Sequence, residues 1–205
     1  FAERNQFFGL DWWSAGQLIG SRVQGGEWWR ALTALSLHDD LLHLASNMLF
    51  GALFVGIVCQ VMGTGLALFA VVAVGAAGNL ANAWLHGPEF SAIGASTAVF
   101  GALGILGGYR AVHRARSAHR SRRRRALVPI LACVFLLGAY GTGTSEPGSR
   151  IDVAGHALGF AVGLAVGALY GRLGSRVAPA ARGQLFFGAA ALAALAVAWW
   201  LALGR

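Results

Sequence analysis

Charge is what this sequence has least of: 12% of its 205 residues are charged, about half the roughly 25% of an ordinary soluble domain. Lysine is absent, and all sixteen basic residues are arginine. Two cysteines are present, Cys59 and Cys133, both inside apolar stretches. They read as buried free thiols, and neither a disulfide nor a metal site is expected from them. Residues 1–40 lack a basic start followed by an apolar core, so they are not a signal peptide.

Apolar residues fill the space that charge leaves. The chain is 57% hydrophobic with a mean hydropathy of +0.61. Its apolar residues come in six blocks, near 41–59, 64–85, 93–109, 126–141, 153–171 and 184–203. Each approaches the ~20 residues that carry a helix across a bilayer. Backbone groups in a bilayer must be satisfied within each segment, so the expectation is an all-α membrane protein with six spans.

The net charge of +8 raises the question of nucleic acid, and the distribution of charge answers it. Eight arginines fall in Arg110–Arg125 and three in Arg172–Arg182, while all eight acidic residues fall in the other loops or at their helix ends. That sorting is a membrane topology with both arginine loops cytoplasmic, not a nucleic-acid surface. The arginine run is also suited to anionic lipid headgroups. Counting spans back from it places Phe1 outside the cytoplasm, so an upstream span or signal is expected.

Residues 1–40 carry Trp12, Trp13, Trp28 and Trp29 and read as an outer interfacial segment. A short helix is expected after Gly26-Glu27, ending near His38. Asp39-Asp40 suits the N-terminus of the first span. Asn79 and Asn82 in the second span are expected to bond neighbouring helices. The fifth span has glycine at 155, 159, 163, 167 and 171, a face that allows close helix contact. The last span, 184–203, has no internal polar residue after Gln184 and reads as peripheral.

Parity brings the remaining polar residues together. Spans one, three and five run the same way, and each carries its polar residues in its first two turns: His43 and Asn47, Ser96, and His156. At ~1.5 Å per residue all four lie within roughly 10 Å of the outer boundary. An ionisable residue inside a span is costly and points to function. Ser96 beside a neutral His156 is an activated nucleophile with its base. No acidic residue shares that depth, so the pair is a dyad, and Asp152 is assigned to helix capping. Donors for an oxyanion are available from His43, Asn47 and the backbone amides at the Ser96 helix start. A transporter would want charged or unwound segments at mid-membrane, where this chain has none.

Gly26-Glu27-Trp28-Trp29-Arg30, Leu37-His38, His43-Leu-Ala-Ser-Asn47, Gly94-Ala-Ser96 and Gly155-His156-Ala-Leu-Gly159 with Gly163 resemble, in order and spacing, the motifs of the rhomboid family of intramembrane serine proteases. The resemblance implies Ser96 as nucleophile and His156 as base, with His43, Asn47 and the Ser96 amide as the oxyanion hole. It implies that Trp29 and Arg30 belong to a loop partly in the outer leaflet, and that Gly94, Gly155 and Gly159 are structural. No cofactor or metal is implied. The implied partners are transmembrane protein substrates and the lipid bilayer.

The resemblance organises residues 1–205 as one rhomboid-like domain: an outer segment 1–40, catalytic core spans 41–171, and an additional C-terminal span 184–203. The family's first core span would precede Phe1. A bacterial inner membrane is the expected location, with the site near the non-cytoplasmic face. Thr97 stands where the commonest family pattern has glycine, and the first span ends in Cys59-Gln60 without the acidic residue many members carry.

Overall fold

A computed structural model describes residues 9–115, 152–174 and 179–204. The predicted span 126–141, most of the arginine run, the loop 142–149 and Cys133 lie outside the described residues.

The segment before the first long helix is folded. Asp11 caps α1 (Trp12–Gly16) by accepting from the Ser14 amide at 3.0 Å. A two-residue strand β1 (Leu18–Ile19) leads into α2 (Gly20–Gln24), and the short α3 (Arg30–Thr33) continues as a 3-10 turn, Ala34–Ser36. Strand β1 pairs antiparallel with β2 (Ser91–Ala92), Leu18 opposite Ala92. Arg30 is the centre of this region. It is 2% exposed, and its guanidinium donates to Glu27 Oε2 at 2.5 Å and to the carbonyls of Ser14 and Gln17 at 2.9 and 2.8 Å. A buried guanidinium is tolerated because its donors meet acceptors.

Five long helices follow among the described residues. Helix α4 (Leu41–Met62) is capped by Asp40, whose side chain accepts from the His43 amide at 2.7 Å. It reverses at Gly63, where φ is +81°, straight into α5 (Thr64–His86). Helices α6 (Ser96–Ala115), α7 (Val153–Leu173) and α8 (Ala181–Leu203) complete the set. Helices α4, α5, α7 and α8 are long and apolar enough to cross a membrane. Helix α6 falls on the predicted third span, and its C-terminal end carries Tyr109, Arg110 and His113.

Helix α6 is the core. Residues 97–108 are buried throughout, with Ala98, Ala102, Ile105 and Leu106 packed among Val58, Met62, Val71, Val74 and Tyr170. The four-residue glycine repeat of α7 meets α6. A Cβ added at Gly159, Gly163 or Gly167 would collide with the carbonyl oxygens of Thr97, Gly101 and Ile105 in turn, and one at Gly171 would sit 3.2 Å from that of Tyr109. Both series advance by four, so the two helices run parallel at backbone contact. Gly104 and Gly108 return the arrangement against the carbonyls of Phe160 and Leu164.

Helix α5 supports this pair with Gly75 against Ala98, and with Gly78 against Thr97 and Gly159. Its two asparagines bond neighbouring segments: Asn79 Nδ2 donates to the Ala31 carbonyl at 2.9 Å, and Asn82 Nδ2 to Asp152 Oδ2 at 2.5 Å. Helix α8 packs outside α5 and α3. Its Gln184 accepts from the Leu66 amide and donates to the Met62 carbonyl, both at 2.9 Å, and so satisfies the sharp α4–α5 reversal. Trp12 does more than lie along an interface: its ring packs tilted against Trp199 of α8, centroids 5.1 Å apart, and the Trp199 indole donates to Ser36 Oγ at 3.0 Å.

Candidate active site

Ser96 is the first residue of α6, and His156 lies in the first turn of α7. The parallel, glycine-lined contact sets their register: Ser96 directly precedes Thr97 and His156 lies three residues before Gly159, at the N-terminal side of that crossing. Ser96 Oγ lies 2.8 Å from His156 Nε2, well within hydrogen-bonding range. His156 is 6% exposed. Its ring stacks on Phe100, centroids 4.5 Å apart and planes 15° from parallel. Phe100 is four residues after Ser96, so one face of α6 carries both the hydroxyl and the surface that holds the imidazole. Phe100 is not marked by any motif of the sequence; its four-residue spacing from Ser96 is the one signal that points to it. His156 Nδ1 is buried with no hydrogen-bond partner, so no carboxylate orients the ring among the described residues.

Gly94 precedes the serine with φ +116°, a conformation that favours glycine. A Cβ there would also intrude on the site, 2.7 Å from His43 Nε2 and 3.6 Å from Ser96 Oγ. The His43 ring nitrogen and the serine hydroxyl therefore flank one point in front of Gly94. His43 Nδ1 accepts from the Asp39 amide at 3.5 Å, which directs the ring proton to Nε2. Asn47, one turn further along α4, has its Nδ2 buried without a hydrogen-bond partner. An orphaned buried donor is costly and rare in folded proteins. His43, Asn47 and Gly51 form one helix face, and Gly51 meets Val99 of α6, so this face looks toward the Ser96 helix.

His38 reaches the same loop. Its Nε2 accepts from the Ala95 amide at 3.5 Å, and its ring meets that of His43 edge-on at 5.0 Å. Burial first, then the neighbouring His43, hold the His38 pKa below the ordinary histidine value. Neutral His38 is the form that can accept from Ala95.

Thr97 is 3% exposed, and its methyl group faces Gly78 and Gly159 in the helix contact. Trp29 and Arg30 are both buried and belong to the folded segment before α4, away from the serine. Gly155 sits where a Cβ would strike Asp152 Oδ2 and lie 2.8 Å from Asn82 Nδ2.

The chain is similar to Bacillus subtilis (strain 168) proteins. It is 36% identical to the rhomboid protease GluP over 141 residues, which are 68% of this chain and 25% of GluP. It is 31% identical over 83 residues to the "Putative rhomboid protease YdcA", covering 40% of this chain and 42% of that protein. The chain thus spans a quarter of one relative's length and under half of the other's. The family model for the rhomboid domain matches residues 25–173. That match takes in every motif from Gly26 to Gly163, the serine and the histidine among them, and so this chain, an integral membrane bundle of helices, belongs to the rhomboid family.

Proposed function

We propose that this protein is an intramembrane serine endopeptidase that cleaves transmembrane helices of other membrane proteins through a Ser96–His156 dyad. One observation carries the reading: a serine at a helix start and a buried histidine on a separate helix, 2.8 Å apart with Nε2 toward Oγ. With the ring proton on Nδ1, the Nε2 lone pair is free to take the serine proton. Serine Oγ then attacks the scissile carbonyl carbon, and the carbonyl π electrons move to oxygen. His43 Nε2–H, Asn47 Nδ2 and the Ser96 amide stabilise that oxyanion. The imidazolium returns its proton to the leaving amine, and the C-terminal fragment departs. Water, deprotonated by the same imidazole, attacks the acyl-enzyme and frees Ser96. The unpartnered Asn47 donor supports this reading, since the oxyanion would satisfy it.

In this proposal residues 1–205 act as one domain in a bacterial plasma membrane, with the dyad near the non-cytoplasmic face and the arginine loops in the cytoplasm. Thr97 would favour a rhomboid-like protein that binds helices without cutting them. Its methyl group, however, faces the helix contact and leaves the serine uncrowded.

The test is cleavage of tagged single-span substrates in detergent by wild type, Ser96→Ala and His156→Ala. Cleavage by wild type alone is expected, and retained cleavage in either variant would refute the dyad.

A further inference from the structure

We propose that Asn82 of α5 and Asp152 form a clamp that positions His156 against Ser96; the inference rests on the protease reading above. The dyad leaves a mechanical question open. His156 has no carboxylate partner on Nδ1 among the described residues, so something other than a third catalytic group must hold its ring. Phe100 supports one face of the imidazole, but stacking leaves the ring free to slide in its own plane. The position of the α7 N-terminus controls that slide, because His156 lies in its first turn.

Asp152 uses both carboxylate oxygens. Oδ1 accepts from the Gly155 amide at 2.8 Å and so caps α7. Oδ2 accepts from Asn82 Nδ2 at 2.5 Å, which caps nothing and instead ties this helix end to α5. The Asp152 carbonyl accepts from the His156 amide at 3.1 Å, the first backbone bond of the helix. One residue therefore links a neighbouring helix, the helix cap and the histidine backbone.

Asn82 is fully buried and its Oδ1 has no partner. Its amide is thus held at a cost, which points to a purpose beyond generic helix packing. Gly155 leaves room for the arrangement, since any Cβ there would collide with Asp152 and crowd Asn82. Helix α5 is itself anchored by Asn79 to the Ala31 carbonyl, so the clamp refers the histidine to the folded outer segment. Asn82 and Asp152 are positioning residues: neither touches Ser96.

The experiment separates positioning from folding. A serine-directed fluorophosphonate labels the purified full chain in detergent; the final extent counts folded sites, and the rate reads assistance by His156. Asn82→Ala removes the tie and keeps the cap. Asp152→Ser also removes the tie, while its hydroxyl still caps the helix. Each variant is expected to label to the wild-type extent about tenfold more slowly, less than the ~10²-fold that a 1 Å misplacement can cost. Both changes remove the same bond, so the double variant should be no slower than the slower single.

In substrate assays the same variants should lower kcat and leave KM within about twofold, because misplacing the base spares ground-state binding. Wild-type rates in both singles would overturn the proposal. A reduced extent at unchanged rate would do so too, as would slowdowns that multiply in the double variant. If Asn82→Ala fails to fold, Asn82→Ser takes its place. A wild type that neither labels nor cleaves refutes the protease reading itself, a result distinct from labelling that ignores Asn82 and Asp152.

Discussion

Helices α6 and α4 both carry residues of the candidate site, and they are held in opposite ways. Helix α6 is buried from Thr97 to Gly108 and meets α7 backbone to backbone. Helix α4 buries only Val58 and Met62, near its C-terminal end. Its N-terminal half presents Leu41, Leu42, Met48, Leu49 and Leu53, each more than half exposed among the described residues. The serine and histidine thus stand on a seam with no slack, while His43 and Asn47 stand on a helix with few packing constraints at their level. In the proposed mechanism a nucleophile and its base need close register, and glycines against carbonyls would supply it.

The largest effect should come from spoiling the seam. Gly163→Val puts a branched side chain into the Gly101 carbonyl, where no flexible neighbour can move aside. We expect a loss of several kcal/mol, above the ~1–3 kcal/mol of ordinary overpacking, read as a collapse of Tm or of folded yield in detergent. An unchanged melting curve would mean that the seam can open.

Next comes Asn47→Ala on the less packed side. Removing one oxyanion donor lowers kcat by about 10²–10³-fold. Because Asn47 Nδ2 has no partner in the resting protein, its loss should leave Tm equal or higher. A falling Tm with unchanged kcat would make Asn47 a packing residue and erase the contrast between the two helices.

A smaller effect is expected from pH. Burial, and then His43, lower the His38 pKa, so the folded protein binds fewer protons there than the unfolded chain, whose histidines titrate at about 6.5. Stability from this group is complete above that pH and declines as pH falls through it. The Tm of wild type should therefore drop in mildly acidic buffer, and His38→Gln should drop less. Equal slopes would remove His38 from the account. Smallest of all, Leu49→Ala on the exposed face of α4 should change Tm by no more than about 0.5 kcal/mol equivalent; a large loss would show that this face is packed.

Much of this could be read from the chain without coordinates. Helix ends at Asp40 and Asp152, the interhelical roles of Asn79 and Asn82, and the glycine repeat of α7 all follow from local chemistry. The common depth of His43, Asn47, Ser96 and His156 follows from span parity. The partners were not legible. A glycine every fourth residue says that something comes close, but not that Thr97, Gly101, Ile105 and Tyr109 are what it meets. Arg30 reads as a motif residue at the interface, yet it is buried and bonded to carbonyls thirteen and sixteen residues away. Phe100 looked like one apolar residue among many until the imidazole lay on it.

Hydropathy and charge sorting are properties of short windows, and so the chain alone determined its membrane class and its described helices, and gave an expected level for each polar group. Rotation about each helix axis, and the pairing of one helix with another, depend on packing between residues some sixty positions apart, as Ser96 and His156 are. The tertiary structure decided that those two share a hydrogen bond, because only there do the glycines of one helix find the carbonyls of the next.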